Sequence, residues 1–362
     1  MWGNNTQGSL GQNQGPSLPR VSSPVQIPGS TWSTLDGPYG GSDSNMVATK
    51  TDGTLWSWGY NGIGALGQNT DGGGVSSPMQ IGTGTDWKQA SAGYRFSLAV
   101  KTDGTLWSWG YGERGNLANN SGGYYNMRSS PIQVGTNTNW ERAYGLGNNS
   151  MGLKTDGSLW FWGYGYSGDF GNNQGSPGGV PLKISSPLQL PGTWEFGGFS
   201  RAIQKKADGT WWGWGSNGFG RLGLNDTTQR SSPVQLPGTW ATIHAGSAAL
   251  GVKTDGTLWS WGRNQEGELG HNNETNYSSP KQVGTDTNWS TSIGSVGGYG
   301  NYSSAAIKTD GTMWVWGNNQ GSGLGLNQPT NTKYSSPVQL TGAWTQIQNG
   351  QESSSMIAMR AV

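Results

Sequence analysis

Hydrophobic and polar positions alternate in this chain over short stretches that tight turns separate. Residues 97–100 (Ser-Leu-Ala-Val) and 105–109 (Thr-Leu-Trp-Ser-Trp) have high β-propensity, with Asp103 and Gly104 between them. Gly104 supplies the positive φ that a tight hairpin turn requires. The pattern therefore predicts a β-hairpin, and no window of about 11 residues has the 3.6-residue period of an amphipathic helix.

Two further short strands complete the unit. Residues 78–81 (Pro-Met-Gln-Ile) and 87–90 (Trp-Lys-Gln-Ala) have strand character, and Pro78 fits the first position of a strand because it has no N–H to donate. Each unit is therefore predicted to contain four strands, the composition of a propeller blade.

The same unit recurs along the whole chain. The run Lys-Thr-Asp-Gly-Thr-Leu-Trp-Ser-Trp-Gly begins, nearly unchanged, at Lys50, Lys101, Lys154, Lys206, Lys253 and Lys308. Ser-Ser-Pro ends seven times, at Pro24, Pro78, Pro131, Pro187, Pro233, Pro280 and Pro337. A lone tryptophan follows each of these prolines, at Trp32, Trp87, Trp140, Trp194, Trp240, Trp289 and Trp344. Repeats at a fixed period of about 50 residues indicate a solenoid or a propeller.

We predict an all-β fold: a seven-bladed β-propeller of four-stranded blades, with the last blade shared between the N- and C-termini. Residues 355–362 match the strand that precedes the Asp-Gly turn, and residues 1–3 match the end of the strand that follows it. The whole chain, 1–362, is expected to form a single domain. Its seven repeats span approximately 4–59, 60–110, 111–163, 164–215, 216–262, 263–317, and 318–362 together with 1–3.

Composition narrows the function classes. Of 362 residues, 65 are glycine and 11% are charged, and the net charge of +1 comes without any block of like charge. Non-specific electrostatic binding to nucleic acid or anionic lipid is therefore disfavoured. The chain has no cysteine and two histidines, which excludes thiolate chemistry and makes a His-based metal site improbable. It begins without a signal-peptide pattern and contains no apolar run long enough for membrane insertion.

The repeat resembles that of the regulator of chromosome condensation family. The resemblance rests on residues 62–67 (Gly-Ile-Gly-Ala-Leu-Gly), residues 217–223 (Asn-Gly-Phe-Gly-Arg-Leu-Gly) and the Asp-Gly-x-Leu-Trp-x-Trp-Gly hairpin, and it covers the whole chain. It implies a seven-bladed propeller with a shared terminal blade. Members of that family act as exchange factors for a small GTPase, as plant ultraviolet photoreceptors and as interaction platforms, and the fold alone does not choose among these functions.

Departures from the family pattern weaken the case for two of these functions, the exchange factor and the photoreceptor. Family members commonly carry a histidine just before the hairpin strand, and here that position is occupied by Asn45, Phe96, Asn149, Arg201, Ala248, Ser303 and Ser355. The Trp-Arg runs of the photoreceptors have one partial match, Gly-Tyr-Arg-Phe-Ser at residues 93–97. The near-identical repeats resemble the bacterial and bacteriophage versions of this unit.

Most conspicuous residues have a structural interpretation. The repeat tryptophans are expected to pack between blades, and the recurring lysines are expected to be balanced by the aspartates of their own turns rather than to form an anion-binding ring. For catalysis, the nearest candidates are Glu266 and Glu268 with His271, which we interpret as a solvated acidic corner. His244 is expected to be a packed histidine. We predict no catalytic residue, no cofactor and no metal.

The tyrosines are distributed unevenly among the repeats. Of 13 tyrosines, seven lie within residues 94–166, and aromatic loop residues beside small amides are typical of recognition surfaces. The alternatives are that these rings fill gaps between blades or stack on sugars. The candidate interaction surface consists of Tyr94, Arg95, Tyr111, Tyr124, Tyr125, Tyr144, Tyr164, Tyr166, Tyr299 and Tyr302.

The sequence therefore favours a non-enzymatic propeller that binds other proteins or has a structural role, as a virion or cell-surface component. Its partners are expected to be proteins, among them other virion or surface proteins. A glycan-binding module and a guanine-nucleotide exchange regulator of a small GTPase are the alternatives. Nucleic acid is not an expected partner. A virion or cell-surface location is favoured, with a cytoplasmic one as the alternative.

Overall fold

A computed structural model describes residues 1–14, 20–36, 44–121, 123, 126–166, 168–174, 181–197, 202–299, 302–347 and 355–360. In this part of the chain the structure is built from 29 strands, β1 to β29, and two short 3₁₀ turns, Gly218–Gly220 and Gln320–Ser322. None of its helices is both long and apolar enough to cross a membrane.

Six antiparallel four-stranded sheets form the blades. Blade 1 contains β3 (Trp32–Asp36), β4 (Asn45–Lys50), β5 (Leu55–Tyr60) and β6 (Gly74–Gln80). Blade 2 contains β7 (Trp87–Ala92), β8 (Phe96–Lys101), β9 (Leu106–Tyr111) and β10 (Met127–Gln133). Blade 3 contains β11 (Trp140–Leu146), β12 (Asn149–Lys154), β13 (Leu159–Gly165) and β14 (Leu182–Leu190).

The second half of the chain repeats this arrangement. Blade 4 contains β15 (Trp194–Glu195), β16 (Ile203–Lys206), β17 (Trp211–Gly215) and β18 (Arg230–Gln235). Blade 5 contains β19 (Trp240–Ala245), β20 (Ala248–Lys253), β21 (Leu258–Gly262) and β22 (Tyr277–Gln282). Blade 6 contains β23 (Val296–Tyr299), β24 (Ser303–Ile307), β25 (Met313–Asn318) and β26 (Lys333–Leu340).

The predicted all-β propeller is confirmed, but the prediction of seven four-stranded blades with a shared last blade is wrong, because six such blades form among the described residues. The remaining strands form a three-stranded sheet and a two-stranded sheet. The first contains β1 (Trp2–Asn4), β2 (Arg20–Val21) and β28 (Ser355–Met356), and the second contains β27 (Trp344–Ile347) and β29 (Ala358–Arg360).

The reason lies in how the C-terminal strand pairs. In blade 1 the second strand, β4, pairs along most of its length with both β3 and β5. Near the C-terminus, the residues before Ile357 pair with β1 and those after it pair with β27. The two paired stretches do not overlap, so no continuous four-stranded ladder results.

The hydrophobic core lies between neighbouring sheets rather than at a single centre. One cluster joins Phe96, Leu98 and Leu106 of blade 2 to Trp140 and Trp162 of blade 3. First strands of neighbouring blades also contact one another, β3 with β7 and β7 with β11, which places them toward the propeller axis. Each blade is therefore stabilised by burying its faces against the next one.

A tryptophan hydrogen bond links each repeat to the one before it. The indole Nε1–H donates to a backbone carbonyl in the preceding third-to-fourth loop, over 2.8 to 3.0 Å. These bonds run from Trp2 to Gly323, Trp58 to Ser9, Trp109 to Ala65, Trp162 to Asn116, Trp214 to Asp169, Trp261 to Arg221 and Trp316 to Glu268. Since each ring is also fully buried, every junction combines apolar burial with a satisfied polar group.

The same loops reach forward to the following blade. An asparagine with φ between 53° and 62° donates its backbone N–H to the carbonyl oxygen of the first serine in the following blade's Ser-Ser-Pro run, over 2.7 to 3.0 Å. These pairs are Asn13 with Ser76, Asn69 with Ser129, Asn120 with Ser185, Asn173 with Ser231, Asn225 with Ser278, Asn272 with Ser335 and Asn327 with Ser22. Asparagine tolerates this left-handed conformation better than most residues. Each loop is thus fixed above the junction with the next blade.

The indole hydrogen bond predicts a difference between two tryptophans on β5. Trp58→Phe should lower the free energy of unfolding by about 2–4 kcal/mol, because it leaves a small cavity and removes the donor to the Ser9 carbonyl. Trp56→Phe, two residues away on the same strand, replaces a half-buried ring bonded within its own turn and should cost about 1 kcal/mol. Denaturant unfolding followed by tryptophan fluorescence measures both, and equal losses would contradict the proposed importance of the junction bond.

Candidate functional site

The two ends of the propeller differ in chemistry. The turns between second and third strands lie at one end, with the Lys-Thr-Asp-Gly run, and we call it the lysine end. The opposite end holds the first-to-second and third-to-fourth loops, and we call it the loop end. The strand register shows which residues lie at each end. Trp32 pairs with Lys50 at the lysine end, whereas Tyr60, at the other end of the blade, pairs with Gly74 at the loop end.

At the lysine end, each repeat lysine is engaged by indole rings. The Nζ atom of Lys50 lies 5.0 Å from the ring centroid of Trp32 and 3.9 Å from that of Trp56. The other five repeat lysines have the same two ring neighbours, at 3.6 to 5.5 Å. Cation–π attraction therefore holds each ammonium in place.

The turn aspartates are held mainly by hydrogen bonds within their own turns, and the lysine of the same turn adds a weaker Coulombic attraction. Asp52 accepts hydrogen bonds from the backbone N–H and the hydroxyl of Thr54, at 3.0 and 2.6 Å, and these bonds lower the pKa of its carboxyl group. The same geometry recurs at the other five turns. The aspartates therefore brace their own turns, and this end consists of repeated structural units.

The loop end brings several predicted surface residues together in pairs that cross between blades. The guanidinium carbon of Arg95, in blade 2, lies 5.5 Å from the ring centroid of Tyr60, in blade 1, and 4.9 Å from that of Tyr94. Arg95 has φ of 63°, a conformation rare for arginine, and its side chain is half-buried. The two aromatic faces orient the guanidinium group at this junction.

The equivalent junction between blades 5 and 6 has the same pair with the two residue types exchanged. Arg263 follows β21, and its guanidinium carbon lies 5.3 Å from the ring centroid of Tyr302, which precedes β24. Arg263 also donates to the Glu268 carboxylate at 3.2 Å. The residue that follows Trp-Gly in one blade therefore forms a cation–π pair with the residue that precedes the second strand of the next blade. Either of the two positions can supply the arginine.

A third pair uses the third-to-fourth loop of blade 2. The guanidinium carbon of Arg114 lies 5.1 Å from the ring centroid of Tyr164, at the end of β13. Tyr164 and Tyr166 contact edge to face, with ring centroids 5.4 Å apart. Tyr166 is 48% exposed and is one of the most exposed aromatic side chains in the described chain. This group presents a cation and an aromatic ring at the surface.

The remaining candidate residues are not part of these pairs. Tyr144 is buried, and its ring stacks on Phe196 with centroids 4.9 Å apart, so it contributes to the core. Tyr111 is half-buried at the end of β9. Tyr124 and Tyr125 lie outside the described residues. Tyr299 ends β23, and its side chain lies outside the described part of the structure.

The carboxylates of the acidic corner are paired with cations. Glu268 is fully buried, and burial raises the pKa of its carboxyl group despite its ion pair with Arg263. Burial also opposes ionisation of Glu266, but hydrogen bonds from Asn318 and Lys333, at 2.8 and 2.9 Å, outweigh it and lower the pKa of that carboxyl. The corner is thus an internal ion-pair network rather than the solvated group that the sequence predicted.

The two histidines are both held in their neutral form. Burial lowers the pKa of His244 to about 4. Burial and the nearby Lys281 ammonium lower the pKa of His271 to about 4, and its Nε2 lies 2.9 Å from the Ser260 hydroxyl. Within the described ranges, no three acidic or histidine side chains are grouped so that they could hold a metal ion.

Sequence reasoning did not select Tyr60, Arg114 or Arg263, and it also missed Phe219. Phe219 is 44% exposed at the tip of the third-to-fourth loop of blade 4, and its φ of 61° is unfavourable for any residue with a Cβ atom. The equivalent residues in the other six repeats are Gln7, Ile63, Arg114, Ser167, Glu266 and Gly321. Among the described ones only Gly321 shares the positive φ, so the residue types at this position gave no signal for Phe219.

Comparison with known protein families gives a match that covers nearly the whole chain. A family model described as the RCC1-like domain matches residues 1–356. Ultraviolet-B receptor UVR8 of Arabidopsis thaliana is 29% identical over 188 residues, 51% of this chain and 42% of that protein. Protein RCC2 of Homo sapiens is 31% identical over 133 residues, 36% of this chain and 25% of that protein. The chain spans less than half the length of these relatives.

Solved structures agree on the fold. Human WBSCR16 superimposes with a TM-score of 0.77 and 20% identity, over 100% of this chain and 99% of that one. Prp20p of Saccharomyces cerevisiae gives a TM-score of 0.75 and 19% identity, over 100% of this chain and 91% of that one. At these identities the likeness concerns the fold alone.

His244 makes stability depend on pH. Its pKa of about 4 in the folded chain lies below the value near 6.5 expected after unfolding, so the unfolded chain gains a proton first as the pH falls. Stability should therefore decrease from pH ~6.5 toward pH ~4, with His244 accounting for about 3 kcal/mol. Unfolding measured across this range should give a shallower slope for His244→Gln than for the unmodified chain. Parallel pH profiles would mean that His244 titrates normally.

Phe219 allows backbone strain to be separated from side-chain packing. Phe219→Gly and Phe219→Ala both remove the ring, but only glycine adopts φ of 61° without strain. The glycine variant should be more stable than the alanine variant by about 1 kcal/mol, and it should unfold no earlier than the unmodified chain. Thermal unfolding by calorimetry tests both statements. A large loss of stability in both variants would instead assign the ring a packing role.

Proposed function

The chain belongs to the RCC1-like domain family, and we propose that it acts as a non-enzymatic, protein-binding propeller that uses its loop end. The observation that carries the proposal is the set of cation–π pairs that cross blade junctions at this end, Tyr60 with Arg95, Arg114 with Tyr164, and Arg263 with Tyr302. Arginine and tyrosine are the residue types enriched at the energetic centres of protein interfaces.

Rigidity supports the same proposal. The third-to-fourth loops are bonded to an indole and to a serine carbonyl of the following blade, so a loop-end side chain binds a partner with little further loss of conformational freedom. Loops positioned by a rigid scaffold are common sites of recognition.

The described polar groups offer little to catalysis. Glu266 and Glu268 are bonded to Lys333 and Arg263, and His271 is bonded to Ser260. A general acid or base needs a reachable, unengaged group near the reacting atoms. This supports the non-enzymatic proposal and argues against an active site at the acidic corner.

Structural relatives supply a class of partner to test. Prp20p binds Gsp1p and histones, and Kap60 has been solved in complex with yeast RCC1. All three partners are proteins. For this chain we propose only that its partner is a protein as well. A guanine-nucleotide exchange activity is the narrower form of this proposal. The virion or cell-surface role and the glycan ligand draw no support from these relatives.

Cross-linking followed by mass spectrometry tests which end of the propeller binds. We expect partner peptides attached through Lys183 and Lys333, which are accessible at the loop end, rather than through Lys88, which is exposed at the lysine end. With the purified partner, Arg95→Ala combined with Arg114→Ala should weaken affinity about tenfold or more, while Lys88→Ala removes one cation elsewhere and should not.

Two results would overturn the proposal. The first is a partner that cross-links through Lys88 and binds the double arginine variant unchanged. The second is turnover of a substrate that is lost in Glu266→Gln or Glu268→Gln. Release of a fluorescent GDP analogue from purified Gsp1p, measured with and without this protein, tests the narrower exchange activity separately.

A further inference from the structure

Three consecutive loop tips at the loop end carry a cation and two exposed aromatic rings. The third-to-fourth loops of blades 2, 3 and 4 present Arg114, Tyr166 and Phe219 at or next to their tips. A glycine one or two residues after each of these side chains lies close against the next blade: Cβ atoms at Gly168 and Gly220 would lie 2.6 and 2.3 Å from Ser231 and Ser278. The three tips are therefore fixed above successive junctions and form an arc.

Arg114 is the unpaired cation of this arc. It contacts the ring of Tyr164, and within the described part of the chain no hydrogen bond or ion pair engages its guanidinium group. The equivalent residue in blade 5, Glu266, is bonded to Lys333 and Asn318. A guanidinium group that is oriented by an aromatic ring and lacks a protein acceptor is suited to binding a carboxylate.

Tyr166 and Phe219 supply exposed apolar surface on the neighbouring blades 3 and 4. Their side chains are 48% and 44% exposed, the two largest exposures among aromatic residues in the described chain. Phe219 also occupies a backbone conformation that opposes it. Neither folding nor packing explains an exposed phenylalanine at this φ, whereas contact with a partner does.

Charge distinguishes this part of the loop end from the rest. On blades 2 to 4 the described loop-end residues include six basic and three acidic side chains. The basic ones are Arg95, Arg114, Arg128, Lys183, Arg221 and Arg230, and the acidic ones are Glu113, Asp169 and Asp226. Blade 5 is acidic by comparison, with Glu266, Glu268 and Glu274 around Arg263. A partner of negative charge would therefore be attracted to blades 2 to 4.

We propose that this arc binds an acidic segment of another protein that also carries aromatic side chains. A carboxylate of the segment binds the Arg114 guanidinium group, and an aromatic side chain packs against Phe219 and Tyr166. The inference rests on the proposed protein-binding function and adds to it the contact surface and the chemistry of the partner.

Fluorescence anisotropy with a synthetic probe tests this chemistry directly. The probe is a fluorescein-labelled peptide of repeated Asp-Glu-Phe units, and its control peptide has Asn-Gln-Phe units. We expect the acidic probe to bind the intact protein, more weakly at ~300 mM than at ~50 mM salt, and the amide control to bind at least about tenfold more weakly. Arg114→Ala and Phe219→Gly should each weaken binding about fivefold to tenfold, whereas Lys88→Ala should change it less than about twofold.

Each other outcome contradicts a different part of the inference. Equal binding of the two peptides would overturn the acidic partner, and unchanged binding by Arg114→Ala and Phe219→Gly would overturn the arc as the surface. Since Phe219→Gly relieves backbone strain, a loss of binding in that variant does not come from unfolding, which circular dichroism verifies. If the acidic probe fails while the cross-linked natural partner still binds the loop end, the partner chemistry is wrong and the proposed function stands.

Discussion

The hydrogen bond from a buried indole to the carbonyl of the preceding loop is the interaction on which the ring depends. It joins two groups that are distant in sequence, 44 residues apart for Trp109 and Ala65, and it recurs at every repeat. Because the acceptor is a backbone atom, the residue that carries it is free to vary between repeats as Ser9, Ala65, Asn116, Asp169, Arg221, Glu268 and Gly323. The bond from Trp2 to Gly323 connects the first strand to the last complete blade, so the ring closes through side-chain chemistry where strand pairing is incomplete.

Sequence periodicity was sufficient to predict the elements that are local. The hairpin around Asp103 and Gly104 forms as expected, because the turn and the alternation of Ser97–Trp109 are encoded within a few residues. The number of complete blades was predicted incorrectly, since it depends on pairing between the two ends of the chain. Counting the Ser-Ser-Pro runs and the lone tryptophans gave seven units, but the register of residues near Ile357 divides the last unit into two smaller sheets. Repeat markers report how many junctions exist, and they do not report whether each sheet is complete.

The candidate surface was predictable in composition but not in arrangement. The excess of tyrosine between residues 94 and 166 pointed to the loop end, yet Tyr144 lies in the core and Tyr60, which was not a candidate, is paired with Arg95. That pair requires knowing which residues of adjacent blades face each other. The exchanged pair of Arg263 and Tyr302 has no local signal at all. Phe219 was overlooked because its distinguishing feature is a backbone angle rather than a residue type.

The contrast between the two ends explains where specificity can arise in such a regular molecule. At the lysine end the same lysine, tryptophans and braced aspartate recur with little variation, so the side chains there are committed to one another. At the loop end the tip residue differs in every repeat, as glutamine, isoleucine, arginine, serine, phenylalanine, glutamate and glycine. These changes cost the scaffold little, because the loops are held by backbone carbonyls and by asparagine N–H groups rather than by the tip side chains. A fold stabilised by backbone acceptors at its junctions can therefore carry an asymmetric set of cations and aromatic rings on a nearly symmetric frame.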